Sequence, residues 1–474
     1  MKSGQSSKAL TDFLSLSLGE IAGKIGGFLV FTYLARALTP DMYGGVELAY
    51  SLLALFTVFI DFGFGPIAAK VVAQKPEQAP TIASQVIGAR LILVLICLPI
   101  MLALAYTLKI PAEISTLIAT MSAAIVFLAF NQKWLLQGLE KMVFVSWSQA
   151  MKMLVFMALT IPLVRNTQDI YLIGIIEIFV TALVAVYFLS LQYWYIGNVS
   201  VAFSNLRNLA SQAKSIGLSN VLWSFTQSIP FLVLTTFSVA RETAWFGAAF
   251  RISTAIMTFT LIYHFNMFPT VTRRLSVSRA EYLRYSNPSV RITAWGGIFV
   301  ALVTTLAAEP ICTLVFGLPY SESADTLSIL IWSIPVTLVS GHARWVLVAS
   351  GKQRFPLYAI AGGCLTCGCL CIPFVLWLGA EGAAIAVLVS FIVIWILTQY
   401  FVYRHVFAVP VGAVLLPAAT ALLLVVLQRT LEIEAGLTLS IFTLIFAAVG
   451  FFFDTQLRRD IPELIRIKSD VRKG

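Results

Sequence analysis

Apolar runs of membrane-crossing length follow one another along almost the whole chain, from near residue 13 to residue 454. A helix that crosses the hydrocarbon core of a bilayer needs roughly 20 mostly apolar residues. About fourteen such segments lie between punctuating Lys/Arg, Pro, Gly and acidic residues. They fall near 13–36, 43–66, 86–107, 114–135, 143–164, 170–192, 215–238, 244–267, 290–307, 326–348, 355–377, 382–402, 410–428 and 437–454. No loop between them is long enough to fold as a soluble domain. Composition agrees: with 59% hydrophobic and 11% charged residues, there is too little charge to hydrate a soluble surface. The first run is too long for a cleavable signal and leads straight into further spans. The expectation is an all-α polytopic membrane protein.

Basic residues set its orientation. With the N-terminus inside and the segments alternating, one side receives Lys2, Lys8, Lys70, Lys75, Lys141, Arg207, Lys214, Arg273, Arg274, Arg279, Arg284, Arg291, Lys352, Arg354, Arg404 and a basic tail. The other side receives Arg36, Lys109, Arg165, Arg241 and Arg429. Cytoplasmic loops carry the excess of Lys and Arg, so both termini are expected in the cytoplasm. The net charge of +10 then reads as cytoplasmic loops, not as a nucleic-acid surface.

The chain also repeats itself. Tyr43-Gly44, Pro66 and Lys70 recur at one offset as Phe246-Gly247, Pro269 and Arg273. Lys133-Trp134, Leu136 and Lys141 recur at a slightly larger one as Arg344-Trp345, Leu347 and Lys352. Matched motifs at equivalent ends of equivalent spans imply two parallel six-helix lobes around a central cavity. The expected organisation is an N-terminal lobe over 1–192, an amphipathic cytoplasmic linker over 193–214, a C-terminal lobe over 215–405, and two extra helices with a basic tail over 406–474. The linker, with Phe203, Leu206, Leu209, Ala210 and Ala213 on one face, reads as a helix lying on the cytoplasmic leaflet.

Local motifs narrow the class. Leu38-Thr39-Pro40-Asp41-Met42-Tyr43-Gly44 resembles the LxPxxYG turn of bacterial polysaccharide flippases, as does Asp61-Phe62-Gly63-Phe64-Gly65 leading to Lys70. Leu135-Leu136-Gln137-Gly138-Leu139-Glu140-Lys141 resembles their fourth-span ending, with Ala349-Ser350-Gly351-Lys352-Gln353-Arg354 as its counterpart. Together these resemble the O-antigen and exopolysaccharide flippase branch of the multidrug/oligosaccharidyl-lipid/polysaccharide superfamily. The resemblance implies movement of a polyprenyl-pyrophosphate-linked oligosaccharide between leaflets of a bacterial inner membrane by alternating access. It also implies membrane lipids, a polysaccharide polymerase and a chain-length regulator as partners.

Charges inside the spans point the same way. Cations at membrane depth are Lys24, Arg90, Lys133, Lys152, Arg251 and Arg344; anions are Glu20, Glu47, Asp61 and Glu177. Each costs about 2.5–3.5 kcal/mol near a helix centre, so each should face a wet cavity or a partner. The positive excess suits an anionic ligand such as a pyrophosphate. Lys24, Arg251, Arg90 and Lys152 are the candidate cavity cations, and related lipid II flippases place cations in the spans that carry Lys24 and Arg251. Glu20 stands four residues before Lys24, and the two can instead neutralise each other. Lys133 and Arg344 read as snorkelling side chains. Glu20, Asp61 and Glu177 are candidates for gating or ion coupling, with an interhelix pair as an equal reading of Asp61. Trp223, Gln227 and Tyr263 are candidate sugar contacts. His264 and His342 read as structural hydrogen-bonders.

Three of the six cysteines, Cys364, Cys367 and Cys371, share a helix face inside an apolar span, where thiols pack as small side chains rather than fold round a metal. No metal and no cofactor are expected. Gly351-Lys352 lacks the rest of a phosphate-binding loop, and no catalytic dyad is legible, so no enzyme is expected. Two other classes stay open: a cation-coupled multidrug antiporter, which favours an acidic cavity, and a membrane polymerase or glycosyltransferase, which needs a long external loop.

Overall fold

The computed structural model describes residues 23–460 apart from Ala408, Pro410 and 432–434. Every regular element among them is helical, and they form two compact units, Met1–Gly247 and Ala248–Gly474. Nine helical stretches among the described residues are long and apolar enough to cross a membrane. The chain is a multi-pass membrane protein.

The first unit opens with helix α1 over 23–37, followed by α2 (Pro40–Asp61). Pro40 suits the first turn of α2, where its missing N–H leaves no bond unmade. Two consecutive left-handed residues, Phe62 (φ 40°) and Gly63 (φ 74°), break the run and start α3 (Phe64–Gln74). Gly63 is required twice over, because a Cβ there would also lie 2.7 Å from the amide nitrogen of Gly217. Then come α4 (Ala79–Thr107), a fourth span broken into α5 (Ala112–Ser122), α6 (Ala124–Leu128) and α7 (Lys133–Gly138), and the pair α8 (Met142–Leu163) and α9 (Ile170–Ile196). A turn joins that pair in which the Asn166 side chain accepts from Gln168 N–H and Asp169 accepts from Asn166 N–H.

The expected surface helix over 193–214 takes a different form. Residues 193–196 finish α9, and α10 (Leu206–Phe237) runs unbroken from the amphipathic stretch into the seventh span. The chain between them is strapped to α4: Ala202 N–H donates to Ser84 O, Ser84 Oγ donates to Ser200 O, and Gly88 faces Ala202. Both amphipathic and spanning sequences have the 3.6-residue period, so periodicity could not show where one ends. Helix α10 packs along α2 through Ser228–Ser51, Phe225–Phe59 and Gly217–Phe62. At the other end of α2, a Cβ on Gly44 would sit 2.7 Å from Ala240 O, at the start of α11 (Ala240–Val277). Gly247 of the same helix similarly abuts Glu47.

The second unit takes up α11 from Ala248 and continues with α12 (Arg279–Leu306), α13 (Ala308–Phe316), α14 (Ser323–Leu330), α15 (Ser333–Ala349) and α16 (Arg354–His405). A straight helix of 52 residues would be about 78 Å long, far more than one bilayer. Instead α16 folds back on itself at Gly379, whose φ of 56° and ψ of −128° suit only glycine. Gly363 meets Ile394, Gly382 meets Phe374, and Phe355 stacks on His405 at 4.0 Å, so the arms run antiparallel in contact. These arms are the expected segments 355–377 and 382–402. Two further helices, α17 (Leu415–Leu431) and α18 (Ala435–Phe453), pack on α12 through Trp295, Ile298 and Leu302 against Ala421, Leu424, Phe442 and Phe446.

The internal repeat extends to backbone bonds. After α7, Lys141 N–H donates to Leu136 O (2.8 Å) and Glu140 N–H to Gln137 O (3.2 Å). After α15, Lys352 N–H donates to Leu347 O (2.9 Å) and Gly351 N–H to Val348 O (3.0 Å). Both are Schellman turns, with Glu140 (φ 57°) and Gly351 (φ 71°) at the left-handed position. The resemblance continues beyond the matched motifs. Phe144 meets Tyr195 edge-on at 6.0 Å where Phe355 stacks on His405, and Lys141 lies over the Tyr195 ring where Lys352 Nζ donates to His405 O.

Candidate functional site

Arg90–Asp61 and Lys152–Glu177 are ion pairs among the described residues of the first unit. At the break after α2, Arg90 of α4 donates through Nη2 to Asp61 Oδ1 and through Nη1 to Asn131 O at 2.6 Å. The helix break matters here, because it brings the end of α2 beside α4 and α7. A cavity of about 280 Å³ opens at the pair, lined among others by Thr57, Gly65, Asn131, Lys133, Trp134 and Gln137. The Asp61–Gly65 motif and the start of the Leu135–Lys141 motif thus converge on one pocket. Gly138 permits this, since a Cβ there would lie 2.8 Å from Ala69 O. Arg90 and Lys133 outnumber the single carboxylate in the lining.

The second pair lies between α8 and α9. Lys152 Nζ is 2.9 Å from Glu177 Oε1, which also accepts from Thr181 Oγ1 at 3.2 Å, while Glu177 Oε2 accepts from Tyr50 on α2 at 3.1 Å. Glu177 is 2% exposed, so these three donors replace its hydration. Glu177, a candidate for gating or ion coupling in sequence, has a cation beside it in the structure. Glu47, also buried, accepts from Tyr43 at 2.6 Å. That tyrosine begins the repeated Tyr-Gly motif, and the motif alone gave no sign of the bond.

The other expected site residues are more dispersed. Glu20 lies outside the described residues; Lys24 is exposed on α1, and Arg251 is half-buried on α11. Trp223 and Gln227 stand one turn apart on α10, and Gln227 Oε1 is buried without a hydrogen-bond partner among the described residues. Tyr263 belongs to an internal network, its hydroxyl 2.6 Å from Ser289 Oγ and 3.2 Å from His342 Nε2. Arg344 lies over Trp345 at 5.9 Å. No group of His, Cys, Asp and Glu able to hold a metal occurs among the described residues.

Fold and charges together define a polytopic membrane protein of two helical units with ion-paired charges in its spans. Residues 9–275 match the family described as polysaccharide biosynthesis protein, and the chain belongs to that family. A protein of Escherichia coli (strain K12), described as a candidate O-antigen transporter, is 24% identical over 374 residues, covering 76% of this chain and 89% of that one. Among solved structures, a lipid II flippase, MurJ, in an inward closed conformation shares the fold with a TM-score of 0.73 at 12% identity, over 93% of this chain and 99% of that one. An inward-facing multidrug resistance transporter of the MATE family shares it with a TM-score of 0.64 at 16% identity, over 82% and 97%. The resemblance read from the sequence motifs is borne out.

Proposed function

We propose that this chain is a flippase that carries polyprenyl-pyrophosphate-linked oligosaccharide from the inner to the outer leaflet by alternating access. One observation supports this most. At membrane depth the six cations Lys24, Arg90, Lys133, Lys152, Arg251 and Arg344 outnumber the four carboxylates Glu20, Glu47, Asp61 and Glu177. Such a balance favours a phosphate-bearing substrate and opposes a cationic drug, although both transporter types share this fold. Family membership and the Escherichia coli relative agree with that choice.

In this reading Lys24 and Arg251 receive the pyrophosphate, with Arg90 and Lys133 at the inner mouth, and Trp223 and Gln227 contact sugar. The protein resides in a bacterial cytoplasmic membrane with both termini inside, beside a polymerase and a chain-length regulator. Alternating access then requires the packed seam of α2 against α10 and the start of α11 to part. The test is complementation of a flippase-null strain, read as surface polysaccharide at matched protein level. Arg251→Ala should abolish export and Arg251→Lys restore part of it, because an ammonium lacks the planar fork that grips two phosphate oxygens. Export at the wild-type rate by Arg251→Ala would remove Arg251 from the site.

A further inference from the structure

The second unit holds a polar cluster of a different kind from the ion pairs of the first. Tyr263-His264 on α11 face Gly341-His342 on α15, and a Cβ on Gly341 would overlap the His264 ring. His342 is 1% exposed, and its Nε2 lies 3.2 Å from both Tyr263 Oη and Thr293 Oγ1. Tyr263 Oη is in turn 2.6 Å from Ser289 Oγ. His264 Nε2 lies 3.1 Å from Leu338 O and must donate to that carbonyl. The two imidazole rings are 6.2 Å apart, centroid to centroid.

Three features distinguish this cluster from a structural hydrogen-bond patch. Each of Tyr263, Ser289, Thr293 and His342 can both donate and accept, whereas the Lys–Glu pair of the first unit cannot pass a proton along without breaking. His342 has two hydroxyls on one nitrogen, while its Nδ1 is buried without a partner among the described residues. On α16, Trp395 Nε1 and Gln399 Nε2 are likewise buried and unpartnered among those residues, and Trp395 packs against the cluster of Val290, Ala294 and Val339. Buried polar atoms ordinarily find partners, and a layer of open ones inside a spanning bundle suits bridging water.

We propose that His342 is a proton relay and that transport by this chain is coupled to protons through it; the coupling half of this rests on the flippase reading. In one pass Tyr263 Oη–H moves to His342 Nε2 as Ser289 Oγ–H replaces it on Tyr263. The proton on His342 Nδ1 leaves to a bridging water, and Ser289 recovers a proton from the water side. One proton crosses and no redox change occurs. The other titratable or charged groups facing the cluster are His264 beside Tyr263, Tyr282 and Tyr285 on α12, and Arg344 on α15, whose field reaches His264.

The chain has three histidines, so ¹⁵N-histidine spectra of the full-length protein in nanodiscs can be assigned by single substitutions. Both His342 nitrogens should change their protonation between acidic and neutral pH; a single tautomer throughout that range would overturn the relay. In proteoliposomes under a pH gradient, His342→Gln should lower proton flux by about tenfold or more, with Tyr263→Phe also reduced and His405→Gln unchanged. Proton flux at the wild-type rate in His342→Gln would equally overturn it. Wild-type protein that moves protons but no lipid-linked saccharide removes the flippase reading and keeps the relay. Saccharide flipping by His342→Gln at the wild-type rate removes the relay and keeps the flippase.

Discussion

Lys152 and Glu177 meet across α8 and α9 at 2.9 Å, with the lysine one-third exposed and the carboxylate almost wholly enclosed. The asymmetry decides what each substitution does. Lys152→Met leaves a buried carboxylate held only by Tyr50 and Thr181, at a cost of about 3–5 kcal/mol. The double variant Lys152→Met/Glu177→Gln should recover most of that loss. Thermal unfolding in one detergent checks both, and equal melting of single and double variants would show that the pair carries no coupling.

Arg90 makes two directed bonds from the separate nitrogens of a planar fork, a geometry that a point ammonium does not reproduce. Arg90→Lys should therefore weaken the junction of α2, α4 and α7 by about 1.5–3 kcal/mol, the worth of one charged hydrogen bond. Transport should fall further than stability if the pocket receives phosphate. The comparison is export per molecule against melting temperature, and a proportional loss of both would assign Arg90 to packing alone.

The repeated turn gives a gain-of-stability test. Glu140 occupies the left-handed site that its counterpart fills with Gly351, and its side chain is exposed. Relief of that conformation outweighs the extra freedom glycine brings to the unfolded chain. Glu140→Gly should stabilise by about 1 kcal/mol, and Gly351→Glu should destabilise by a similar amount. Opposite signs in the two halves are the diagnostic result.

Sidedness is tested by labelling. Ser204→Cys, in the strap before α10, should react with an impermeant thiol reagent applied from the cytoplasm. Val239→Cys, after α10, should react from the outside. The reverse pattern would give the chain the opposite orientation in the membrane and place the 193–214 segment outside.

Much of the helical layout was legible in sequence because membrane crossing imposes length and apolarity, and nine helical stretches among the described residues meet that requirement. Even the return within α16 was marked, by the polar break between Trp377 and Gly382. The ion pairs were not legible. Arg90 and Asp61 stand 29 residues apart and Lys152 and Glu177 stand 25 apart, so the helical i, i+4 rule that linked Glu20 to Lys24 says nothing about them. Residue type alone marks Tyr263 as a sugar contact, whereas its hydroxyl lies against Ser289 Oγ and His342 Nε2 inside the second unit. The aromatic pairs Phe144–Tyr195 and Phe355–His405 were not legible, because Tyr195 and His405 differ in type and the rings meet edge-on in one half and stacked in the other.

Gly379 carries a consequence for how the membrane protein is assembled. Its backbone conformation turns two apolar arms into one insertion unit with almost no loop to translocate, where the first half uses the turn at 164–169. Parity of crossing depends on that single residue: were it to remain helical, everything downstream would emerge on the opposite face of the bilayer.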